Sequence, residues 1–267
     1  FFTEFERFDR HIDKCRRIDP SRHIDYVAIC SPNYLHDSHI RFALRSGADA
    51  ICEKPLVLNP WNIDGLLEME RDTGRKVNTI LQLRLHPTII EIKERIEKAR
   101  SDTKYDVDLT YVTSRGHWYL QSWKGDVEKS GGIATNIGVH FYDMLHFLFG
   151  TVQENTVFHS SATKASGFIE YEKARVRWFL SIDMSDVPPN LLDQGQRTYR
   201  SITCNGEELE FTGGFVDLHT RSYEEVLAGR GFGVADNRVA VEKVALIRNA
   251  TPVRPLGDYH PFLRAAG

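Results

Sequence analysis

The sequence predicts a two-domain protein in which a parallel α/β sheet is followed by an α+β domain with a large, mostly antiparallel sheet. Up to residue 86, short β-branched runs alternate with segments of helical periodicity. After residue 87, most segments alternate polar and apolar residues, which is typical of half-buried antiparallel strands. The 267 residues are enough for two domains of ordinary size. We therefore predict domains at residues 1–86 and 87–267.

The first region contains three predicted strands that alternate with helices. In chain order these are strand 24–31, helix 34–46, strand 48–53, a helix from Pro60 to Gly74, and strand 76–82. Strands that alternate with helices of this length imply a parallel sheet with right-handed crossovers. The region is therefore a βαβαβ unit.

The second region begins with a predicted helix over 87–100 and then changes character. Its predicted strands are 106–115, 155–163, 166–171, 174–183, 197–204 and 207–212, and its further helices are 137–149, 219–229 and 236–249. Asn205-Gly206 is a strong signal for a hairpin turn. A large antiparallel sheet with helices on one face leaves the other face to be covered, so we expect a homo-oligomer, either a dimer or a tetramer.

A glycine-rich phosphate loop is missing from the first region. A dinucleotide-binding domain begins with a strand, a Gly-x-Gly-x-x-Gly turn and a helix, and no such motif precedes residue 30. We therefore expect residues 1–86 to be the C-terminal part of a Rossmann-like domain whose first βαβ unit is missing. The sequence then leaves open whether the cofactor is NAD or NADP.

Composition excludes several classes of function. The formal net charge of −3 gives no electrostatic footprint for nucleic acid or for an anionic membrane. No apolar run approaches the roughly 18 residues of a membrane-spanning helix. The four cysteines are scattered, so we expect a reducing, cytoplasmic compartment.

Two polar motifs follow the first two predicted strands. Cys30-Ser31-Pro32-Asn33, with His36 three residues later, ends the first strand, and Glu53-Lys54-Pro55 ends the second. In a parallel sheet, ligands bind beyond the carboxyl ends of the strands. Each motif alone is more often a plain turn or an exposed charged pair. A desolvated lysine at such an edge can, however, lose its proton near neutral pH.

A third motif opens the predicted helix of the second region. Gly131-Gly132 would allow the backbone to approach a ligand, and Asn136 and His140 are four residues apart, on one face of a helical turn. Asp143 could orient the imidazole of His140 and raise its basicity. We expect no metal site, because no cluster of Cys, His and carboxylate residues completes a ligand set.

Together these motifs resemble the glucose-fructose oxidoreductase/inositol dehydrogenase (Gfo/Idh/MocA) family of NAD(P)-dependent sugar oxidoreductases. The family pattern has a Thr/Ser-Pro-Asn-x-x-His turn, Glu-Lys-Pro, and Gly-Gly-x-x-x-Asp-x-Gly-x-His-x-x-Asp. All three occur here in order. The sequence departs from the pattern at Asn136, where the family has aspartate. An amide cannot accept a proton, so the resemblance leaves proton chemistry to Lys54 and His140.

A narrower resemblance rests on Ser122-Trp123-Lys124-Gly125-Asp126, on Asn136, and on the segment 218–227. These match a bacterial subgroup that oxidises the 3-hydroxyl of UDP-N-acetylglucosaminuronate during surface-polysaccharide (O-antigen) biosynthesis. The subgroup implies bound NAD, tetramers and, in some members, recycling of NADH by 2-oxoglutarate. Two alternatives stay open: a dehydrogenase of a free sugar or inositol, and a non-catalytic dinucleotide-binding regulator.

The predicted mechanism places His140 and Lys54 beside the reacting hydroxyl. His140 has the slight advantage as base because its ordinary pKa lies near neutral pH, and Lys54 would stabilise alkoxide character. The expected cofactor contacts are Cys30, Ser31, Pro32, Asn33, His36, Glu53, Lys54, Gln82, Arg84 and Trp123. The expected substrate contacts are Lys54, Lys124, Asn136, His140, His219, Arg221 and Tyr223.

Overall fold

The first sheet is parallel and has three strands in the order β1-β2-β3. We analysed a computed structural model that describes residues 1–100, 102–209 and 217–264. The strands are β1 (Tyr26–Ile29), β2 (Asp49–Cys52) and β3 (Val77–Thr79). Each lies inside a predicted strand, so the predicted parallel sheet is confirmed.

The second sheet is mixed and has six strands in the order β5-β6-β7-β4-β8-β9. The strands are β4 (Tyr105–Thr113), β5 (Val152–Ser160), β6 (Lys164–Tyr171), β7 (Ala174–Ser181), β8 (Thr198–Cys204) and β9 (Glu207–Glu208). The predicted strand 207–212 therefore contains β9, while residues 210–212 lie outside the described part of the chain. All pairs are antiparallel except β4 with β7, so the prediction of a mostly antiparallel sheet is confirmed.

The long predicted helices are present, and several others were not predicted. The helices are α1 (Phe5–Ile18), α2 (His36–Arg45), α3 (Pro60–Thr73), α4 (Pro87–Lys98), α5 (His117–Gln121), α6 (Val127–Ser130), α7 (Gly132–Asn136), α8 (Val139–Phe149), α9 (Pro189–Leu192), α10 (Leu218–Leu227), α11 (Val234–Asn249) and α12 (Pro261–Arg264). Within the described ranges, none is long and apolar enough to cross a membrane.

Helix α11 contributes to the hydrophobic cores of both sheets. Val234 and Val241 pack with the apolar residues of β1, β2, α2 and α3. On another face of the same helix, Ala240 and Val244 join the larger core formed by α4, α8 and the second sheet. The last long helix of the chain therefore fixes the two sheets against each other.

The face of the second sheet that is turned away from α8 is partly covered by the chain itself. Val112, Phe179 and Val187 form a buried cluster there, and Tyr199 and Phe262 pack against it. The covering residues belong to the segment that includes α9 and to α12. The chain itself therefore covers the apolar part of this face, and the expected homo-oligomer stays a prediction.

A buried ion pair joins the turn after β3 to α8. The Arg84 guanidinium donates to both carboxylate oxygens of Asp143, from Nε at 3.0 Å and from Nη2 at 2.7 Å. It also donates to the carbonyl of Asp236 at the start of α11, and it lies over the rings of Phe147 and Phe232. Burial raises the pKa of Asp143, although Arg84 opposes that shift.

We expect Arg84→Met to destabilise the fold strongly, because it leaves the Asp143 carboxylate buried without its partner. Removing one member of a buried pair costs about 3–5 kcal/mol, which urea denaturation would measure. The control is Arg175→Met, which removes the surface pair with Glu170, where Arg175 is 53% exposed. That change should cost only about 0–1 kcal/mol. Equal losses in the two variants would contradict a structural role for Arg84.

Candidate active site

A cavity of about 220 Å³ lies where the carboxyl end of the first sheet meets α8 and the second sheet. It is lined by Lys54, Gln82, Leu83, Tyr111, Arg115, Asn136, Ile137, His140, Phe141 and Arg200. Four of the predicted site residues, Lys54, Gln82, Asn136 and His140, therefore share one cavity. Within the described part of the chain, none of the residues that line it carries a carboxylate.

Lys54 and His140 reach the cavity from different elements, a strand end of the first sheet and a helix of the second region. Lys54 follows β2, and its Nζ donates to the backbone carbonyl of Asn136 at 3.3 Å. Asn136 ends α7 and His140 lies in the first turn of α8, so the two residues are not on one continuous helix. Both nevertheless line the cavity, which gives the site a cation, an amide and an imidazole.

The Gly131-Gly132 pair has a conformational role. Gly131 has φ +80° and Gly132 has φ +75°, which is the left-handed region that glycine tolerates best. A Cβ on Gly131 would also meet the side chain of Thr135 at 2.6 Å. The two glycines therefore allow α6 to turn into α7, which ends at Asn136.

Asn33 crosses between the two domains. Its Nδ2 donates to the carbonyl of Ser130 at 2.9 Å and lies 3.4 Å from Oδ1 of Asn136. The Asn136 Nδ2 in turn donates to the hydroxyl of the buried Tyr119 at 2.6 Å. The turn after β1 is thus connected through Asn33 and Asn136 to helix α5.

His36 is buried beneath the site. Its ring nitrogens lie 2.7 Å from the carbonyl of Pro55 and 2.8 Å from that of Ser31. Burial lowers the pKa of His36 more than these carbonyls raise it. The ring of His36 therefore bridges the turns that follow β1 and β2, and its predicted cofactor contact stays a prediction.

The other residues of the turn after β1 are more accessible. Cys30 is exposed, Ser31 and Pro32 are partly buried, and the Ser31 hydroxyl lies 2.9 Å from Nδ1 of His39. Burial and the nearby Glu53 raise the pKa of the Cys30 thiol. These residues stand at the carboxyl end of β1, where the sequence predicted cofactor contacts.

Helix α10 lies across the ends of the first sheet. His219 on this helix pairs with Glu53 at 3.3 Å, and Tyr223 packs on Ile51 and its neighbours. Arg221 is exposed on the same helix. None of the three predicted substrate contacts on α10 lines the cavity, although His219 is close enough to help lower the pKa of His140.

Burial shifts both proposed catalytic groups toward their neutral forms. Desolvation lowers the pKa of Lys54 to about 8, with Lys124 and Arg115 acting in the same direction and Glu53 opposing them. Desolvation also lowers the pKa of His140 well below its usual value, and the charge of Lys54 adds to that effect. The expectation that His140 titrates near neutral pH is therefore wrong.

Arg84, Lys124 and Trp123 are also absent from the cavity lining. Arg84 is held in the ion pair with Asp143, and the printed side-chain hydrogen bonds of Asp143 go to Arg84. The cofactor contact of Arg84 and the orientation of His140 by Asp143 stay predictions. Lys124 lies over the rings of Trp118 and Trp123, at 5.2 Å and 5.6 Å from their centroids. Trp123 does not line the cavity.

Four residues in or beside the cavity were not predicted from the sequence: Tyr111, Arg115, Arg200 and Tyr119. Tyr111 and Arg200 face each other in the register of β4 and β8, and the Arg200 guanidinium lies 5.3 Å from the centre of the Tyr111 ring. The alternation of β8 contained a signal, because Arg200 shares a face with the buried Ile202. An arginine on the apolar face of a strand indicates a polar cavity at that point.

Two family models match the chain. The model described as the oxidoreductase family's NAD-binding Rossmann fold matches residues 4–80, and the model of its C-terminal alpha/beta domain matches residues 103–190. Among solved structures, the WlbA (WbpB) dehydrogenase from Thermus thermophilus is 50% identical with a TM-score of 0.93, over 98% of this chain and 84% of that one. That structure is a complex with NAD and alpha-ketoglutarate.

A second structure of the Thermus enzyme, in complex with NAD and UDP-GlcNAcA, is 49% identical with a TM-score of 0.92. The WlbA dehydrogenase from Bordetella pertussis, at 18% identity and a TM-score of 0.69, shares the fold.

Curated relatives match a shorter region. Inositol 2-dehydrogenase from Rhizobium meliloti is 29% identical over 133 residues, which are 50% of this chain and 39% of that protein. D-glucoside 3-dehydrogenase from Escherichia coli is 25% identical over 47% of this chain and 36% of its own length. The chain thus spans well under half the length of these relatives. The chain belongs to the glucose-fructose oxidoreductase/inositol dehydrogenase (Gfo/Idh/MocA) family of oxidoreductases, whose cofactor domain is an NAD-binding Rossmann fold.

Proposed function

We propose that this protein oxidises the 3-hydroxyl of a UDP-linked N-acetylglucosaminuronic acid with NAD, as a step in the synthesis of surface-polysaccharide sugars. The observation that carries the proposal is the cavity, which combines Lys54 and His140 with the cations Arg115 and Arg200. Among residues 1–100, 102–209 and 217–264, no carboxylate lines it. The 49% identity to an enzyme solved with NAD and UDP-GlcNAcA supports the same substrate class.

The residues at the edge of the first sheet fit the nicotinamide end of NAD. Gln82 lines the cavity, and its buried Oε1 atom has no hydrogen-bond partner among the described residues, so it suits an amide donor such as the nicotinamide carboxamide. Ser31 and Glu53, at the carboxyl ends of β1 and β2, suit ribose hydroxyls. When bound there, NAD would supply the hydride acceptor for the sugar carbon.

Lys54 is the better candidate for the base. A base works best when its pKa lies near the working pH, and the pKa of Lys54 is lowered to about 8. The neutral amine would accept the proton of the 3-hydroxyl as the carbon–hydrogen bond is broken. His140 stays neutral, so it would hydrogen-bond the same oxygen and orient it. This assignment reverses the order expected from unshifted pKa values.

The cations around the cavity would bind the carboxylate of the sugar. Arg115 and Arg200 present guanidinium groups, which bind carboxylates through paired donors. A neutral sugar or inositol has no carboxylate that these cations could attract, which disfavours a dehydrogenase of a free sugar or inositol. The two carboxylates of 2-oxoglutarate suit the same cations. Its keto carbon could take the hydride back from NADH while Lys54 returns the proton, giving 2-hydroxyglutarate and NAD.

We further propose that the protein is a homo-oligomer that uses the outer face of the second sheet. The part that the chain leaves uncovered is polar, with Arg177 paired to Asp108 and Arg175 paired to Glu170. Analytical ultracentrifugation at two salt concentrations should give the mass of a dimer or tetramer that weakens as salt rises. A monomer at low salt would contradict the proposal.

The role of Lys54 predicts the pH dependence of kcat/KM. Because only the neutral amine accepts a proton, kcat/KM should rise as pH increases through about 8 and then level off. Lys54→Met should lower kcat by about 10²–10⁴-fold and abolish this rise. His140→Asn should lower kcat but keep the rise, because His140 is already neutral.

The opposite result would identify His140 as the base. If the rise near pH 8 persisted in Lys54→Met and disappeared in His140→Asn, the proposed roles would be exchanged. Near-normal turnover in both variants would exclude this cavity as the catalytic site. The exposed Lys98, paired with Glu94 on α4, provides a matched control in Lys98→Met, for which we expect an unchanged pH profile.

The substrate class can be tested with two UDP sugars that differ at carbon 6. NADH formation by the full-length protein should be seen with UDP-N-acetylglucosaminuronate and should be much weaker with UDP-N-acetylglucosamine. Arg200→Met should raise KM for the uronate by about tenfold or more and should leave KM for the neutral sugar nearly unchanged. Bound NAD without turnover of any UDP sugar would favour a non-catalytic regulator.

A further inference from the structure

We infer that Asn136 is a specificity-determining residue, because its neutral amide keeps the cavity cationic and thereby admits an anionic sugar. The inference rests on the proposed function and goes beyond it, since it assigns substrate choice to one side chain that no proton-transfer step uses. Asn136 lines the cavity between Lys54 and His140.

The hydrogen bonds around Asn136 would suit a carboxylate equally well. Oδ1 faces the Nδ2 donor of Asn33 at 3.4 Å, and Nδ2 lies 2.6 Å from the Tyr119 hydroxyl. A carboxylate at this position would accept from the Asn33 amide on one oxygen and from the Tyr119 O–H on the other. Geometry and hydrogen bonding therefore do not require an amide here. The property that distinguishes the two side chains is charge.

The charge of residue 136 would act directly on the cations of the site. The backbone carbonyl of Asn136 accepts from Lys54 Nζ at 3.3 Å, so a carboxylate on the same residue would lie close to that ammonium. The native acid that acts on the pKa of Lys54 is Glu53, and its carboxylate already contacts His219. The Lys and Arg residues that line the cavity are Lys54, Arg115 and Arg200. Among the described residues, an added carboxylate would thus be the first to line it.

Two consequences follow from such a charge. A carboxylate beside Lys54 would favour the protonated amine, which cannot accept the proton of the substrate at neutral pH. It would also compete with the sugar carboxylate for the same cations and repel it, while a neutral sugar would be little affected. The amide avoids both effects and keeps the hydrogen-bond network with Asn33 and Tyr119.

The test compares Asn136→Asp with two controls in the full-length, NAD-loaded protein. Asn136→Leu is similar in size but stays neutral, so it separates the loss of hydrogen bonds from the gain of charge. Gln153→Glu makes the same amide-to-carboxylate change on the exposed face of β5, at the opposite edge of the sheet from β8. The readouts are binding of UDP-N-acetylglucosaminuronate and of UDP-N-acetylglucosamine by calorimetry, and the pH dependence of Lys54 acetylation by acetic anhydride.

We expect Asn136→Asp to weaken uronate binding about tenfold or more relative to the neutral sugar, and to raise the labelling midpoint of Lys54 by about one pH unit or more. Asn136→Leu and Gln153→Glu should keep the preference for the uronate. An unchanged preference and an unchanged midpoint in Asn136→Asp would overturn the inference, as would an equal loss of preference in Asn136→Leu.

The two proposals fail in different ways. If the wild-type protein turned over no UDP sugar, the proposed function would fail. The effect of charge at residue 136 could still be decided by comparing the wild-type protein with Asn136→Asp for the labelling midpoint of Lys54 and for the binding of 2-oxoglutarate. If the wild-type protein oxidised the uronate but Asn136→Asp bound it equally well, the function would stand and the role of Asn136 would be wrong.

Discussion

The placement of the site depends on the buried ion pair between Arg84 and Asp143. Arg84 follows the last strand of the first sheet, and Asp143 lies one helical turn beyond His140 on α8. The bidentate contact therefore fixes the His140 imidazole relative to the sheet edge that carries Lys54. Asn33 forms a second connection by donating to the carbonyl of Ser130. Because a small displacement of reacting groups costs much of the rate, these two polar links position the chemistry.

One arrangement of charges accounts for both the proposed chemistry and the proposed substrate class. Desolvation and the nearby cations lower the pKa of Lys54 to about 8, so that part of the amine is neutral near physiological pH. The same cations attract an anionic sugar, and the bound carboxylate would partly offset their effect on the amine. The lowered pKa of His140 has the same origin, since it arises from burial and from Lys54, His219 and Arg200. The same group of cations would thus both lower the pKa of the proposed base and select an anionic substrate.

Sequence patterns were sufficient for the two sheets and for the centre of the site. Lys54, Asn136 and His140 could be predicted because each stands at a strand end or a helix start, where local pattern determines position. The ion pair of Arg84 with Asp143 could not be predicted, because the two residues are 59 apart in the chain and no periodicity links them. Arg115 and Tyr119 were missed for a similar reason, since they lie in the irregular segment and short helix after β4. The pKa order of Lys54 and His140 depends on burial, which local sequence does not reveal.

Helix α11 holds the two sheets together and so restricts the movements that could discriminate between substrates. Val234 and Val241 complete the core of the first sheet while Ala240 and Val244 complete that of the second, so the sheets cannot separate without exposing both sets. Exposing apolar surface costs about 25 cal/mol per Å², which disfavours large hinge motion between the sheets. Discrimination between an anionic and a neutral sugar must then come from side chains already in place around the cavity. Among these side chains, Arg115 and Arg200 would attract the carboxylate of the sugar, and the neutral amide of Asn136 would not oppose that attraction.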